Sequence, residues 1–152
     1  MSLIIRLATL SDVDSLCAIE QQSFAPSLYH LTSRRQFRYL INKGNAEIWL
    51  AELHGQACGM AVLFFKANSR FVRLYSIAVL PAFQGRDVGL ALFECAQKQG
   101  LHKKLMGLSL EIRSDNKKHY DRYRALGYKD VGTVEDYYPD HSPCIKLQKI
   151  FI

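Results

Sequence analysis

Residues Phe71–Leu80, FVRLYSIAVL, form a mostly apolar, β-rich run that reads as a strand. The segment PAFQGRD then leads into a stretch in which Val88, Ala91, Leu92, Cys95 and Ala96 recur at helical spacing. A second buried-type run, LMGLSLEI (Leu105–Ile112), follows the helix. Two strands joined through a helix are expected to lie parallel in one sheet, by a right-handed crossover. This unit commits the chain to a sheet with helices packed on it.

The flanking sequence fills in the rest. LIIRLA (Leu3–Ala8) reads as an opening strand. Ser11, three residues before Asp14, comes close to a capping-box pattern, and Val13, Leu16, Cys17 and Ile19 mark the inner face of a first helix. TSRRQFRYLINKG predicts a second helix with Phe37, Leu40 and Ile41 inward, ended by Gly44. AEIWLAEL and QACGMAVLFF predict a hairpin about His54–Gly55. Gly100 is expected to close the third helix. NKKHYDRYRAL predicts a fourth, with Tyr120, Tyr123 and Leu126 near one face and Gly127 as its stop. Two further strands, around PDHSP, are expected between Tyr128 and Ile152. The order β, α, α, β, β, β, α, β, α, β, β implies an α/β (α+β) fold. Its mixed, mostly antiparallel sheet has six to seven strands, and about four helices flank it in one domain spanning 1–152.

Composition narrows the function classes. A 152-residue chain that is 49% hydrophobic and 22% charged builds an ordinary globular core. The longest uncharged apolar run, Ala57–Phe65, is too short to span a bilayer, and MSLIIRL lacks the basic and apolar regions of a signal peptide. None of the four cysteines forms a CxxC pair, and three lie in apolar patterns, which fits a reduced, cytoplasmic setting. The net charge of +6 points to an anionic partner, whether a nucleotide-bearing cosubstrate, an acidic protein or RNA. Arg34, Arg35 and Arg38 form a basic helix face. The five histidines lack metal-ligand spacing, and His141 with Cys144 is too small a set for zinc. No metal, nucleic-acid or membrane partner is expected.

The loop QGRDVG stands where a helix begins. Unpaired N–H groups and the positive end of the helix dipole gather there, and glycine lets backbone approach a ligand. The loop is either a phosphate cradle or only a tight strand-to-helix turn. It is neither a GK[ST] loop nor GxGxxG.

IAVLPAFQGRDVGLAL resembles the acetyl-CoA-binding motif of the GNAT (GCN5-related) N-acetyltransferases, and SLEIRSDNKKHYDRYRALGYKDVG resembles the family's next block. The resemblance is strongest to the RimI-like branch, the ribosomal-protein-alanine and protein N-terminal acetyltransferases. That branch places a Leu-Glu-aliphatic-Arg strand before an Asn, with a Tyr seven residues later ahead of Leu-Gly-aromatic. Here these are Leu110, Glu111, Ile112, Arg113, Asn116, Tyr123, Leu126, Gly127 and Tyr128. DYYPD (Asp136–Asp140) is similar to the branch as well, whereas its usual Pro-Trp in the first loop is absent.

The resemblance implies transfer of an acetyl group from acetyl-CoA to a primary amine, a protein or peptide N-terminus first. A small-molecule amine such as a polyamine or amino acid, or a non-catalytic CoA-sensing module, are the alternatives. It assigns the thioester end of acetyl-CoA to Ile77, Ala78 and Val79, the pyrophosphate to Gln84, Gly85, Arg86, Val88, Gly89 and Leu90, and the pantetheine arm to Asn116. Glu111 becomes the general base, through water, and partial burial is expected to raise its pKa; otherwise it is a solvent-facing Glu of an alternating strand. Tyr123 becomes the general acid, or simply packs in the core. Tyr137 and Tyr138 become walls of the acceptor groove, or an ordinary strand pair. The departure is Asp87, an acid where the family loop carries its first glycine. Its carboxylate is expected to cap the helix or to oppose pyrophosphate, and a left-handed backbone there would suit Asp better than most side chains. Acetyl-CoA and the amine are the expected partners of a monomer or homodimer.

Overall fold

The computed structural model describes residues 2–151; Met1 and Ile152, the two ends of the expected domain, lie outside the described residues. Strands β1 (Leu3–Leu7), β2 (Ala46–Leu53), β3 (Gln56–Phe64), β4 (Phe71–Val79), β5 (Gly107–Arg113), β6 (Lys129–Val134) and β7 (Cys144–Ile150) form one sheet. Their order is β1-β2-β3-β4-β5-β7-β6. Only β4 and β5 pair in parallel, and every other neighbour is antiparallel. Helices α1 (Val13–Ser23), α2 (Arg34–Asn42), α3 (Val88–His102) and α4 (Lys117–Ala125) complete the mixed fold expected from the sequence.

Two cores lie on opposite faces of the sheet. Val13, Leu16, Cys17 and Ile19 of α1 and Phe37 of α2 pack on Ile48, Leu50, Met60 and Val62. Val88, Leu92, Phe93 and Ala96 of α3 pack on Ala61, Leu63, Val72 and Leu74, joined by Tyr123 and Tyr128. Covered on both faces, β3 is buried almost throughout, which is why its sequence reads as a continuous apolar run. His54 and Gly55, both at positive φ, form the expected hairpin turn.

Three local expectations change. The first helix is entered through a 3-10 turn at Leu10–Asp12 instead of a Ser11–Asp14 cap. Asp12 accepts the Thr9 N–H at 2.7 Å and two bonds from Arg6 at 2.8 and 2.9 Å, so the guanidinium fixes where the helix starts. Arg6 holds the Asp12 carboxyl down at about 2. Leu126 does not share the helix face expected with Tyr120 and Tyr123: α4 ends at Ala125, and Leu126 is its exposed C-cap. Gly100 does not close α3, which runs on to His102. It is buried inside the helix, where an added Cβ would meet Val72 Cγ1 at 2.8 Å.

That contact reverses the usual rule for a helical glycine. Alanine gains about 1 kcal/mol in helix propensity, but overpacking against β4 costs roughly 1–3 kcal/mol. Gly100→Ala is expected to lower the urea midpoint, whereas a solvent-facing helical glycine would raise it.

Candidate active site

The parallel pairing of β4 with β5 covers only Phe71–Leu74 against Gly107–Leu110. Beyond it β4 stays paired to β3 as far as Val79, and β5 stays paired to β7 as far as Arg113. Leu63 pairs with Leu74 and Val62 with Ser76, so Tyr75 is an extra residue on β4. A bulge of this kind bends its strand and increases the local twist. The inner edges of both strands are thereby left to a cleft. A cavity of about 320 Å³ occupies it, walled by Leu74–Ile77 on one side and Leu110–Arg113 on the other.

Ile77, Glu111, Asn116, Tyr123, Tyr137 and Tyr138 all line this one cavity, although they come from four separated segments. The other predicted residues do not. Ala78 is buried in the core beneath α1, Val79 packs toward α3, and the loop Gln84–Leu90 lies outside the cavity lining. Gln84 ties that loop to the strand end by donating to the Val79 carbonyl at 3.2 Å.

The Glu111 side chain is only 8% exposed, as expected of a buried carboxyl, but it is not alone. Arg73 on β4 donates to its Oε1 from Nε at 3.0 Å and from Nη2 at 2.7 Å, and the same Nη2 reaches the Tyr137 hydroxyl at 3.2 Å. Among the described residues none bonds Oε2. The sequence did hold a signal for Arg73: a lone cation in the apolar run FVRLYSIAV.

Tyr123 is buried between Phe93 and Tyr128, with ring centroids 5.5 and 5.8 Å away. Burial pushes its phenol pKa up, so the hydroxyl keeps its proton at neutral pH. Among the described residues the hydroxyl has no hydrogen-bond partner. Both ends of the Asn116 side chain are engaged locally. Its Oδ1 caps α4 by accepting the His119 N–H at 3.2 Å, and its Nδ2 lies 3.0 Å from His119 Nδ1. His119, which sequence reasoning missed, also lines the cavity. Burial of its ring, with Arg122 and Lys118 nearby, lowers its pKa and favours the neutral imidazole.

Arg113 joins the two loops at the cleft mouth. It is 5% exposed, and it donates to the Leu28 carbonyl at 2.8 Å and to Asp140 at 2.7 Å, with Asp115 and Ser142 as further acceptors. The rings of Tyr29 and Tyr138 flank its guanidinium at 5.6 and 4.9 Å. Arg113 holds the Asp140 carboxyl well below the usual carboxylate range. The segment between α1 and α2 is thus fastened to the segment between β6 and β7. Arg34, on the basic helix face, pairs with Asp14. His141 pairs with Asp136 at 2.6 Å, while Cys144 is buried at the start of β7. No group of three potential metal ligands exists among the described residues.

Asp87 has φ 63° and ψ 13°, the left-handed conformation anticipated for it. It does not cap α3 with its side chain, contrary to the first expectation: the N-cap backbone is left-handed rather than in the extended conformation of the usual capping residue. Its carbonyl accepts the Ala91 N–H at 3.0 Å, and Gly85 also has positive φ, at 79°. The first N–H groups of α3 have no intrahelical partner. The loop therefore fits a phosphate: open donors, a nearby cation in Arg86, and one opposing acid in exposed Asp87.

Residues 13–128 match the family model described as Acetyltransferase (GNAT) family. The chain is 26% identical over 137 residues to a Bacillus subtilis (strain 168) protein, spanning 90% of this chain and 87% of that one. That protein bears the provisional name ribosomal protein bS18-alanine N-acetyltransferase. The fold is similar to the ribosomal-protein-S18-alanine N-acetyltransferase of Escherichia coli, at TM-score 0.86 and 21% identity over 98% of this chain and 94% of that one. It is also similar to the PaiA N-acetyltransferase of Thermoplasma acidophilum, solved with coenzyme A, at TM-score 0.79 and 18% identity over 99% and 100% of the two chains.

Replacing Arg113 with methionine keeps its bulk and removes its five donors. Amide exchange in residues 25–32 and 136–142 is expected to quicken together, by about tenfold, with the strands of the sheet unaffected. Exchange that quickens in only one of the two segments would show that Arg113 does not join them.

Proposed function

The chain belongs to the GNAT acetyltransferase family, and we propose that the amine it acetylates is the α-amino group at the N-terminus of a protein or peptide. The observation that carries this reading is the cleft mouth. Tyr29, Tyr137 and Tyr138 line the cavity between two loops that Arg113 fastens together, which suits an extended chain entering end-on. The similarity to a protein named as an alanine N-acetyltransferase supports it. The acceptor's own chemistry supports it too. A free α-amine titrates near 7.7–8.0 and a lysine near 10.4, so an N-terminus needs only modest help to lose its proton.

Acetyl-CoA supplies the activated acetyl group. The residues that would hold it are the end of β4 at Ile77–Val79, past its pairing with β5, and the loop Gln84–Leu90, since the N–H groups of a helix start suit an anion. Asn116, at the N-terminus of α4, stands beside the same cavity.

Glu111 takes the proton of the acceptor amine at Oε2, the oxygen that Arg73 leaves free, through a water. The Arg73 bonds fix the carboxylate in the cleft wall and aim that oxygen. Tyr123 gives the proton of its hydroxyl to the leaving group. Its burial among aromatic rings keeps the proton in place until then. The two groups line one cavity from different elements, β5 and α4, so one can accept a proton and the other return one.

Glu111→Gln and Tyr123→Phe are each expected to lower kcat by about a hundredfold, the usual weight of a single acid–base group. Acetyl-CoA affinity, read by titration calorimetry, is expected to change by less than about twofold. Unchanged turnover in both variants would remove these roles. Asp87→Gly takes away the opposing charge and the left-handed strain together. Acetyl-CoA should then bind about fivefold more tightly, close to 1 kcal/mol. An unchanged Kd would mean that this carboxylate is too far from the phosphates to oppose them.

A further inference from the structure

Glu20 on α1 lines the same cavity and has no part in the mechanism above. It is 4% exposed, one of three buried charged side chains among the described residues. Oε2 accepts the Thr32 N–H at 2.7 Å. Oε1 is closed to solvent and has no hydrogen-bond partner. One helical turn later, the Ser23 hydroxyl oxygen is the other closed side-chain atom without a partner.

Among the described residues no cation pairs with Glu20. Arg113 is taken by Asp115 and Asp140, and Arg73 by Glu111. Burial pushes the Glu20 carboxyl pKa up, and only the Thr32 contacts pull it back. A buried carboxylate oxygen left without a donor is costly, and native structures rarely keep one without a use. The acceptor arrives largely as an ammonium at neutral pH. An ammonium brings three N–H donors and a positive charge, which is what the Glu20 carboxylate lacks.

We propose that the Glu20 carboxylate in the cavity wall is the binding site for the positively charged nitrogen of the incoming primary amine, its unpartnered oxygen swinging out of its closed position to accept an N–H of the ammonium. Glu20 thus draws the acceptor in, and Glu111 receives the proton. The proposal rests on reading this cavity as the acceptor site. It holds for any primary amine, so it can be tested apart from the choice of an N-terminus.

The test is Glu20→Gln. The glutamine carbonyl can still accept the Thr32 N–H, so the loop stays fastened and the charge alone is lost. The probes are an alanine-leading hexapeptide and spermidine. For whichever probe the wild type acetylates, the variant should show a KM raised about tenfold or more. The kcat and the acetyl-CoA Kd should be nearly unchanged, and Tm no lower. With the peptide, the KM gap should narrow at pH 9, where most α-amine is neutral; a purely structural role would not move with the amine's own titration. Unchanged KM, or a loss of kcat and Tm without a KM effect, overturns the proposal and leaves Glu20 as a loop latch. Should the variant not fold, the wild type decides through the hexapeptide whose amine is replaced by a hydroxyl. Inhibition by that analogue at least tenfold weaker than the peptide's own affinity upholds the ammonium site, and equal affinity overturns it. A raised KM for spermidine with an inert peptide sustains Glu20 and rejects the N-terminal acceptor. If the wild type acetylates neither probe, both readings fall.

Discussion

The structure turns on a pairing that stops. Four residues into their parallel contact, β4 and β5 part company, and each remains satisfied only by its outer neighbour. An unpaired strand edge inside a protein is normally a liability, because every open N–H and C=O seeks a partner. In this chain the open edges border the cavity. The extra residue Tyr75 bends β4 away, and the two cores keep the rest of the sheet rigid enough to hold the gap. Glu111, Tyr123 and Glu20 are brought within one cavity by that divergence, not by any local motif.

Much of this was legible in the sequence. The helix faces of α1 and α3, the His54–Gly55 turn and the strand runs all follow from side-chain period and turn chemistry, which are local properties. So do Glu111 and Tyr123, because their spacing within one block matches a family pattern. What escaped notice is non-local. Arg73 and Glu111 stand 38 positions apart, and Arg113 and Leu28 stand 85 apart. Glu20 sat in plain view on α1, but periodicity marks apolar positions as buried and passes over an acid beside them. Gly100 misled for a related reason: a glycine near a helix end looks like a stop until the neighbouring strand is known to press on it.

The charges around the cleft divide the labour. Arg113 spends its bonds on architecture, gathering an acid from each side and a carbonyl from the first loop. Arg73 fixes one oxygen of a carboxylate and leaves the other open. The loop ahead of α3 is built without side-chain caps, and its one acid is exposed. The two arginines thus hold shape, while the backbone groups ahead of α3 are left open.

The bulge at Tyr75 bears on how such a chain can change over generations. The cleft is made by a count of residues rather than by the identity of any one of them. Replacing a side chain along β4 alters the lining and leaves the opening in place. Losing one residue between Leu74 and Ser76 would restore the register with β3 and remove the bend, letting β4 run on beside β5. Point substitution can therefore explore new acceptors freely, while a single-codon deletion at this spot would close the site to all of them.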